Sequence, residues 1–493
     1  MSVGQSIRSG VKWLMVGRVG NRFAEFAFGV ILARLLVPAD FGMIVTIHVF
    51  TGFVGMFTSG GMGQSLIRAK SVDENDFSAV FTLQFALGVA VYLLFFLTAP
   101  WIAQYFSNPL YTDLLRVSAL SFLLRPVLVM RNAWLNREMQ FKSRSLVEVA
   151  SGFVTGISSV LMAWAGMGVW SLILSGLLAA LFRNIWLARL TPLKLSFNPD
   201  IAIMRKHSAY GFKIVANDLV TYLRSESKSL LLSKLAGPAF LGLFNKAESL
   251  SRLPNQLMMS ATMEPVFRAM SKAQDDLDQT KYLFYRSITL LMVYTTPIYV
   301  LLWWVAEPFV SVVYGEKWMQ SGAPMSTLAL AGVFLNIIFP CGTLLAARNR
   351  LGQEMVAQSI NLLVVIGACY VGLNWGLQGV AWGIVLGNVL LAIHFYWLAR
   401  QAVPTRLRDL IRAAAPGLSL STLLCGVLAL THLALGDVRA SHPALYLLGM
   451  SLSGSLFYIA AFLFIPIPAL HSEAARWRQK LSDGMTLIRK ALP

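Results

Sequence analysis

Apolar residues fall in blocks of twenty or so along the whole chain, and each block is closed by proline, glycine or a knot of charge. Taken against those boundaries, the blocks lie at 12–37, 41–64, 77–102, 111–134, 146–165, 169–189, 208–235, 240–266, 282–306, 322–346, 355–374, 379–399, 410–432 and 443–466. A helix needs about twenty apolar residues to cross the hydrocarbon core of a bilayer, so each block is long enough to span one. Period-two alternation is absent, which excludes a β-barrel. The pattern predicts an all-α integral membrane protein with fourteen transmembrane helices.

Composition supports this, since 56% of the 493 residues are hydrophobic, 13% are charged and the mean hydropathy is +0.64. A soluble core cannot hide that much apolar surface, and the low charged share excludes a disordered chain. The formal net charge of +18 has a topological origin. Loops after the even-numbered helices, with both termini, hold about thirty of the 41 Lys and Arg, whereas the alternate loops hold Arg34, Arg116, Lys234, Lys317 and Arg439. By the positive-inside rule both termini are cytoplasmic, which requires an even number of crossings. The basic loops then face anionic membrane lipids, and no nucleic-acid partner is implied.

The first twenty residues lack a secretory pattern, because Arg8, Lys12, Arg18 and Arg22 run into the first apolar block without a small-residue cleavage site. An uncleaved anchor is expected there. Cys341, Cys369 and Cys425 lie in apolar stretches with no CxxC pair, so neither disulfides nor a metal site is indicated. In the tail, Leu470, Ala474, Trp477, Leu481, Met485 and Ile488 recur at helical spacing with Arg476, Arg478, Lys480, Arg489 and Lys490 between them, a basic amphipathic interfacial helix.

The chain also repeats itself. Leu35-Leu36-Val37-Pro38-Ala39-Asp40-Phe41-Gly42 recurs as Leu235-Ala236-Gly237-Pro238-Ala239-Phe240-Leu241-Gly242, and Arg68-Ala69-x-Ser71 recurs as Arg268-Ala269-x-Ser271, both 200 residues on. Pro100 with Tyr105 resembles Pro308 with Tyr314, Asn136-Arg137 matches Asn349-Arg350, and Gly168-Val169-Trp170 matches Gly379-Val380-Ala381-Trp382. Five matches in one order predict two parallel six-helix lobes related by pseudo-symmetry. The expected organisation is an N-lobe at 1–190, a cytoplasmic linker at 191–207, a C-lobe at 208–400, two further helices at 401–468 and the tail helix at 469–493. Two such lobes would face each other across a cleft and rock about the bound substrate.

Charge at hydrocarbon depth is costly unless it meets water, a partner or a ligand. Arg125, Lys213, Arg224, Lys228, Lys246 and Arg252 lie there, with Arg22 close by. Lys213, Asn217, Thr221, Arg224 and Lys228 share one face of the seventh helix, with Asp218 alongside. The first helix carries Arg18, Asn21, Arg22 and Glu25 at matching spacing, and the eighth adds Lys246, Glu248, Arg252 and Gln256. The candidate substrate-binding residues are therefore Arg18, Asn21, Arg22, Lys213, Asn217, Thr221, Arg224, Lys228, Lys246, Arg252 and Gln256. Glu25, Asp218, Glu226 and Glu248 are the candidates for carrying a coupling ion. Two readings stand: the charges pair with one another as packing devices, or the cations await a phosphate-bearing ligand that Arg can grip bidentately. Pro254, two residues from Arg252, is the foremost hinge candidate.

The Leu-Leu-x-Pro-x-x-Phe-Gly turn at Leu35 to Gly42, Ala99-Pro100-Trp101-Ile102-Ala103 with Asn108-Pro109, Arg137-x-Met139-x-Phe141-Lys142, and Gly166-x-Gly168-Val169-Trp170 together resemble one family. This is the polysaccharide transporter branch of the MOP flippase superfamily, specifically the Wzx-type lipid-linked oligosaccharide flippases such as the colanic-acid and teichuronic-acid export proteins. The resemblance covers roughly residues 1–400. It implies a MATE-like fold in a bacterial inner membrane and translocation of undecaprenyl-pyrophosphate-linked repeat units for exopolysaccharide, capsule or O-antigen export. It further implies alternating access, coupling to H+ or Na+ with no other cofactor, and polysaccharide polymerase or co-polymerase proteins as partners. The resemblance to the lipid II flippase and the multidrug MATE exporters is more distant, and the Arg-Asp cavity cluster of the former has no residue-by-residue match here.

Two rivals remain. A MATE-like organic-cation antiporter would favour carboxylates and aromatics over Arg and Lys in its cavity. A polytopic polymerase or ligase would need a large outer loop or an acidic catalytic cluster. The longest outer loop is short, at about 307–321, no Ser-His-Asp arrangement appears, and the acidic run Asp275-Asp276-x-Asp278 falls in a cytoplasmic loop, where a solvated helix connector is the ordinary reading. A non-enzymatic transporter is the expectation.

Overall fold

The computed structural model of the chain describes residues 20–59, 61–273 and 275–491, and all regular elements among them are helical. Helix α1 covers residues 20–35 and breaks at Leu36 and Val37, and α2 (Pro38–Ser59) opens on Pro38. Proline suits a helix start because its missing N–H has no intrahelical partner there anyway. The Asp40 carboxylate accepts from the Val37 N–H at 3.2 Å and so caps α2. A second break ahead of a proline lies in α9 (Ile201–Lys272), a 72-residue helical run interrupted at Gly237 (φ 83°, ψ 172°) just before Pro238, without a side-chain cap like that of Asp40. Only glycine adopts that backbone without strain. Pro254, the foremost hinge candidate, causes no break in the helix. α9 stays helical through Pro254, and its break lies seventeen residues earlier, at the repeat motif.

The remaining helices are α3 (Met62–Arg68), α4 (Glu74–Tyr105), α5 (Leu110–Ala119), α6 (Ser121–Arg137), α7 (Phe141–Trp164), α8 (Trp170–Leu190), α10 (Leu277–Tyr314), α11 (Gly322–Ala347), α12 (Leu351–Gly372), α13 (Gly376–Ala402), α14 (Leu407–Ser441), α15 (Pro443–Phe464) and α16 (His471–Ala491). The predicted apolar blocks fall on helix except at some of their ends and at two internal turns, Gly61 between α2 and α3 and Leu120 between α5 and α6. Fourteen crossings are predicted, and nine stretches among the described residues are long and apolar enough to cross a membrane. One of the nine, Leu351–Ala402, contains both α12 and α13, whereas α9 is absent from them.

The chain packs as two units, Met1–Gly242 and Leu243–Pro493. In the first, Ile47, Phe95, Tyr111, Leu114, Leu115 and Phe122 form a buried core, with Phe95 stacked on Phe122 at 5.8 Å. The repeat is expressed there as a reciprocal crossing. A Cβ on Gly42 would collide with the Pro238 carbonyl, and one on Gly242 with the Pro38 carbonyl. Two helix starts of like sequence thus touch backbone to backbone, which only small residues permit. Thr46 and Ser233 hydroxyls meet at 2.6 Å beside that crossing. Gly152 and Gly156 of α7 likewise make room for Asn21 and Phe28 of α1.

In the second unit, Phe284, Ile288, Met292, Cys341, Leu344, Leu345, Phe395 and Ala399 anchor the largest core, drawn from α10, α11 and α13. Asn336, buried in α11, is satisfied by the Thr295 hydroxyl at 2.7 Å and that of Thr296 at 3.3 Å. Leu445, Leu448, Leu452, Leu456 and Ile459 form an outward stripe on α15, each more than half exposed. An outward leucine stripe of this kind is expected of a helix facing lipid. The tail helix α16 is docked at its start. Arg286 bonds the Ala469 carbonyl at 2.7 Å and Glu473 at 2.8 Å, and the Trp477 indole N–H donates to the Tyr294 hydroxyl at 3.1 Å.

Candidate functional site

The polar face of α1 is organised within one turn. Asn21 donates to Glu25 at 2.7 Å and Arg22 lies 3.5 Å from the same carboxylate, with Arg22 and Glu25 more than half exposed. The Asn21 amide oxygen, packed against Gly152, is buried without a hydrogen-bond partner. Arg18 lies outside the described residues. Lys213, Asn217, Asp218, Thr221 and Arg224 lie on the helical backbone of the first arm of α9, but their side chains are outside the described set.

Lys228 and Glu226, a turn further on, are half-buried. Glu226 lines a slot of about 450 Å³ formed by α2, α4 and this arm. Its walls are apolar, from Phe50, Phe53, Leu94, Ile102 and Leu230, and Glu226 is the one carboxylate among the residues that line it. Tyr222 closes one side. Its hydroxyl donates to the His48 and Val49 carbonyls at 3.0 and 2.8 Å, and glycine at position 52 leaves room for its ring.

On the second arm of α9 the charges have identifiable neighbours. Glu248, buried, pairs with Arg252 at 2.7 Å, and Lys246 lies over the rings of Tyr314 (4.6 Å) and Trp318 (5.1 Å). Asn255 donates to the Gly332 carbonyl at 3.4 Å, and Gln256 is exposed. Local pairing therefore holds for Glu248 and Arg252. Arg252 remains half exposed, so its outer face stays open to solvent or ligand.

Three further features are not evident in the sequence. Arg125 lays its guanidinium against Gly55, with α2 and α6 packed closely enough that a Cβ there would collide with it. Arg131 bonds the Thr191 hydroxyl at 2.6 Å, and Arg183 points to the Ser151 hydroxyl at 3.4 Å. These cations share the N-terminal unit, and their positions inside apolar blocks were the only available signal. The third is a contact chain: Ser65 Oγ lies 2.8 Å from His207 Nδ1, and His207 Nε2 lies 3.2 Å from Asp76 Oδ1. The sequence shows no Ser-His-Asp pattern, yet the fold assembles one. It is a structural tie, because Asp76 and Asp73 cap α4 reciprocally and His207, fully buried, fastens the start of α9 to α3 and α4. Arg137 similarly serves structure, bonding the Leu66, Ala69 and Lys70 carbonyls that end α3.

The second unit adds an apolar slot of about 440 Å³ lined by Pro297, Leu301, Leu424, Tyr458, Phe462 and Trp477 of α10, α14, α15 and α16. Its lining offers dispersion contact and almost no polar group. No group of three or more His, Cys, Asp or Glu able to hold a metal occurs among the described residues.

With this geometry in view, comparisons with known proteins agree. A family model described as "Polysaccharide biosynthesis protein" matches residues 31–323. The succinoglycan biosynthesis transport protein ExoT of Rhizobium meliloti (strain 1021) is 23% identical over 465 residues, covering 93% of each chain. The lipopolysaccharide biosynthesis protein WzxC of Escherichia coli (strain K12) is 23% identical over 397 residues, covering 80% of each. Among solved structures, the lipid II flippase MurJ in an inward closed conformation superposes with a TM-score of 0.72 at 16% identity, covering 90% of this chain and 97% of that one. That likeness identifies the fold.

Proposed function

The chain belongs to the polysaccharide biosynthesis protein family, and from that premise we propose that it is a flippase for lipid-linked oligosaccharides. It carries undecaprenyl-pyrophosphate-linked repeat units from the cytoplasmic to the outer leaflet of a bacterial inner membrane, with both termini cytoplasmic and fourteen crossings. It is a transporter and not a catalyst.

The observation that carries this reading is the contrast between α9 and its neighbours in sequence. Nine stretches among the described residues are long and apolar enough to cross a membrane, while the 72-residue α9 is not among them and carries Lys213, Arg224, Lys228, Lys246 and Arg252 along its length. Such a helix has to turn its charge away from lipid, and a pyrophosphate is the anion that guanidinium groups grip best. Asn21, Asn217, Thr221 and Gln256 supply the hydrogen bonds a glycan needs. The apolar slot on α14 and α15 suits a length of hydrocarbon chain, since its lining is almost without polar atoms. Glu226, alone among apolar walls, is the best placed of the four carboxylates to take up a coupling proton or sodium ion. Alternating access then exposes these groups to each leaflet in turn, and the product passes to polymerase proteins outside.

Reconstituted vesicles holding a polyprenyl-pyrophosphate-linked oligosaccharide test this through protection of the glycan from a membrane-impermeant oxidant. The wild-type chain is expected to translocate it under an ion gradient, and Arg224→Ala and Arg252→Ala to abolish translocation while inserting normally. Full activity in both variants would remove the cationic face from the account, and an inactive wild type would remove the flippase.

A further inference from the structure

A second cationic site lies away from the faces assigned to cargo. Where α13 ends and α14 begins, the chain encloses a hollow of about 700 Å³ together with the second turn of α10. Lys281, Arg400, Arg406 and Gln401 line it with one carboxylate, Asp409. That carboxylate is committed, to Lys281 at 3.1 Å and to the Arg406 N–H at 3.2 Å. Neither Arg400 nor Arg406 has a salt-bridge partner among the described residues, and both are exposed. The hollow therefore presents two guanidinium groups against a single carboxylate that is already bonded to Lys281.

The turn that holds them is fixed. Arg400 Nε donates to the Thr405 carbonyl at 3.3 Å, and the Tyr396 hydroxyl donates to the Arg406 carbonyl at 2.8 Å while contacting Tyr285 at 3.1 Å. Val403 and Thr405 are buried beneath it. Two arginines on an anchored turn lose little freedom when they bind, which favours a planar, multidentate anion.

What lies beside the hollow points to the ligand's other end. Trp382, Leu386, Leu390, Ile393 and Trp397 recur at steps of four, four, three and four along α13, and all are exposed. That stripe is an apolar, exposed face of the kind lipid covers, and its last member, Trp397, is also a wall of the hollow. Leu407 and Ile411 extend the apolar flank onto α14. Tryptophan settles at the membrane–water boundary, and basic pockets between transmembrane helices receive anionic headgroups there.

We propose that this hollow is a binding site for the phosphate headgroup of an anionic phospholipid, whose acyl chain runs down the α13 stripe from Trp397. It is independent of cargo recognition, because none of its residues belongs to the faces of α1 or α9. A soluble phosphate shares the headgroup chemistry but would make no use of the stripe.

The full chain in detergent, titrated with phosphatidylglycerol, phosphatidylcholine or inorganic phosphate, tests the site through thermal midpoint and retained lipid in native mass spectrometry. Phosphatidylglycerol is expected to raise the midpoint and stay bound, and phosphatidylcholine to do neither. An Arg400→Gln, Arg406→Gln double variant should bind phosphatidylglycerol roughly thirtyfold more weakly, the effect of two interfacial charges. The charge-matched control Arg408→Gln, Arg412→Gln should bind it normally. If the first double variant does not fold, Arg406→Gln alone should still lose roughly fivefold. Equal binding of phosphatidylcholine, unchanged affinity in the Arg400 and Arg406 variants, or an equal loss in the control would overturn the proposal. Inorganic phosphate that matched phosphatidylglycerol would overturn the lipid assignment in favour of a soluble ligand.

Discussion

Tyr105 and Tyr314 occupy the same place in the two repeats, at the ends of α4 and α10, and each carries a lysine over its ring. Lys234 sits 4.3 Å from the Tyr105 centroid and bonds that residue's carbonyl, while Lys246 sits 4.6 Å from that of Tyr314. The resemblance stops at burial. Tyr105 is 57% exposed and Tyr314 only 4%, because the 3₁₀ turn Glu316–Ser321 brings Trp318 alongside as a second ring. The lysines are not repeat equivalents either: position 234 corresponds to Arg34, and 246 to Thr46. Both repeats place a basic residue, a proline and a glycine around a helix start, whereas the side chains about them differ. The reciprocal Pro38–Gly42 and Pro238–Gly242 crossing represents the first kind of feature, and the two lysine–tyrosine pairs the second.

The largest expected effect tests the conserved kind. At Gly42 and Gly242 an added Cβ meets a carbonyl in the backbone of the opposing helix, and that carbonyl cannot swing aside as a side chain could. Gly42→Ala and Gly242→Ala should each cost about 3 kcal/mol, the upper range for overpacking, and by similar amounts. Thermal midpoints and monodispersity in detergent would read it. If one variant is tolerated and the other is not, the crossing is not reciprocal in energy, whatever its geometry.

The diverged pair should give unequal answers. Tyr314→Leu removes a buried ring and strips Lys246 of one of its two aromatic neighbours, at about 2 kcal/mol, since cation–π contacts strengthen when desolvated. Tyr105→Leu, at the surface, should cost about 0.5 kcal/mol. Matching losses in the two variants would mean that burial does not separate the sites.

The same division explains what could be read from the sequence. Helices and their repeat were legible because each depends on local order: apolar blocks of spanning length, a Pro opening the next helix, a Gly four residues on. The turn of Gly166 and Gly168 was marked as a motif, and both residues have positive φ, at 82° and 53°. Spacing likewise put Glu248 and Arg252 on one face, but it could not say that they pair, because a face at spacing four suits a salt bridge as well as a ligand. The roles of Arg137 and of the Ser65–His207–Asp76 tie were hidden more deeply, since they join residues 67 to 142 positions apart. Pro254 shows the limit of reading a break from proline alone. A membrane helix can continue through proline when its neighbours satisfy the freed carbonyl, so the break fell instead at Gly237, where the backbone demands glycine.

A third pair of variants separates the two breaks themselves. Before α2 the break is held by a side chain, with the Asp40 carboxylate accepting the Val37 N–H. In α9 the equivalent residue is Phe240, which has no such acceptor, and the turn relies on Gly237 instead. Asp40→Ala should therefore cost about 1 kcal/mol, the usual worth of a helix cap. Asp40→Asn should recover part of that, because an amide oxygen can accept the same bond and only the charge at this exposed helix start is lost, about 0.3 kcal/mol. The order wild type, Asn, Ala in thermal midpoint is the signature of capping. If Asn and Ala fall together, the carboxylate's charge and not its hydrogen bond is what holds α2 in place, and the two breaks differ in electrostatics more than in geometry.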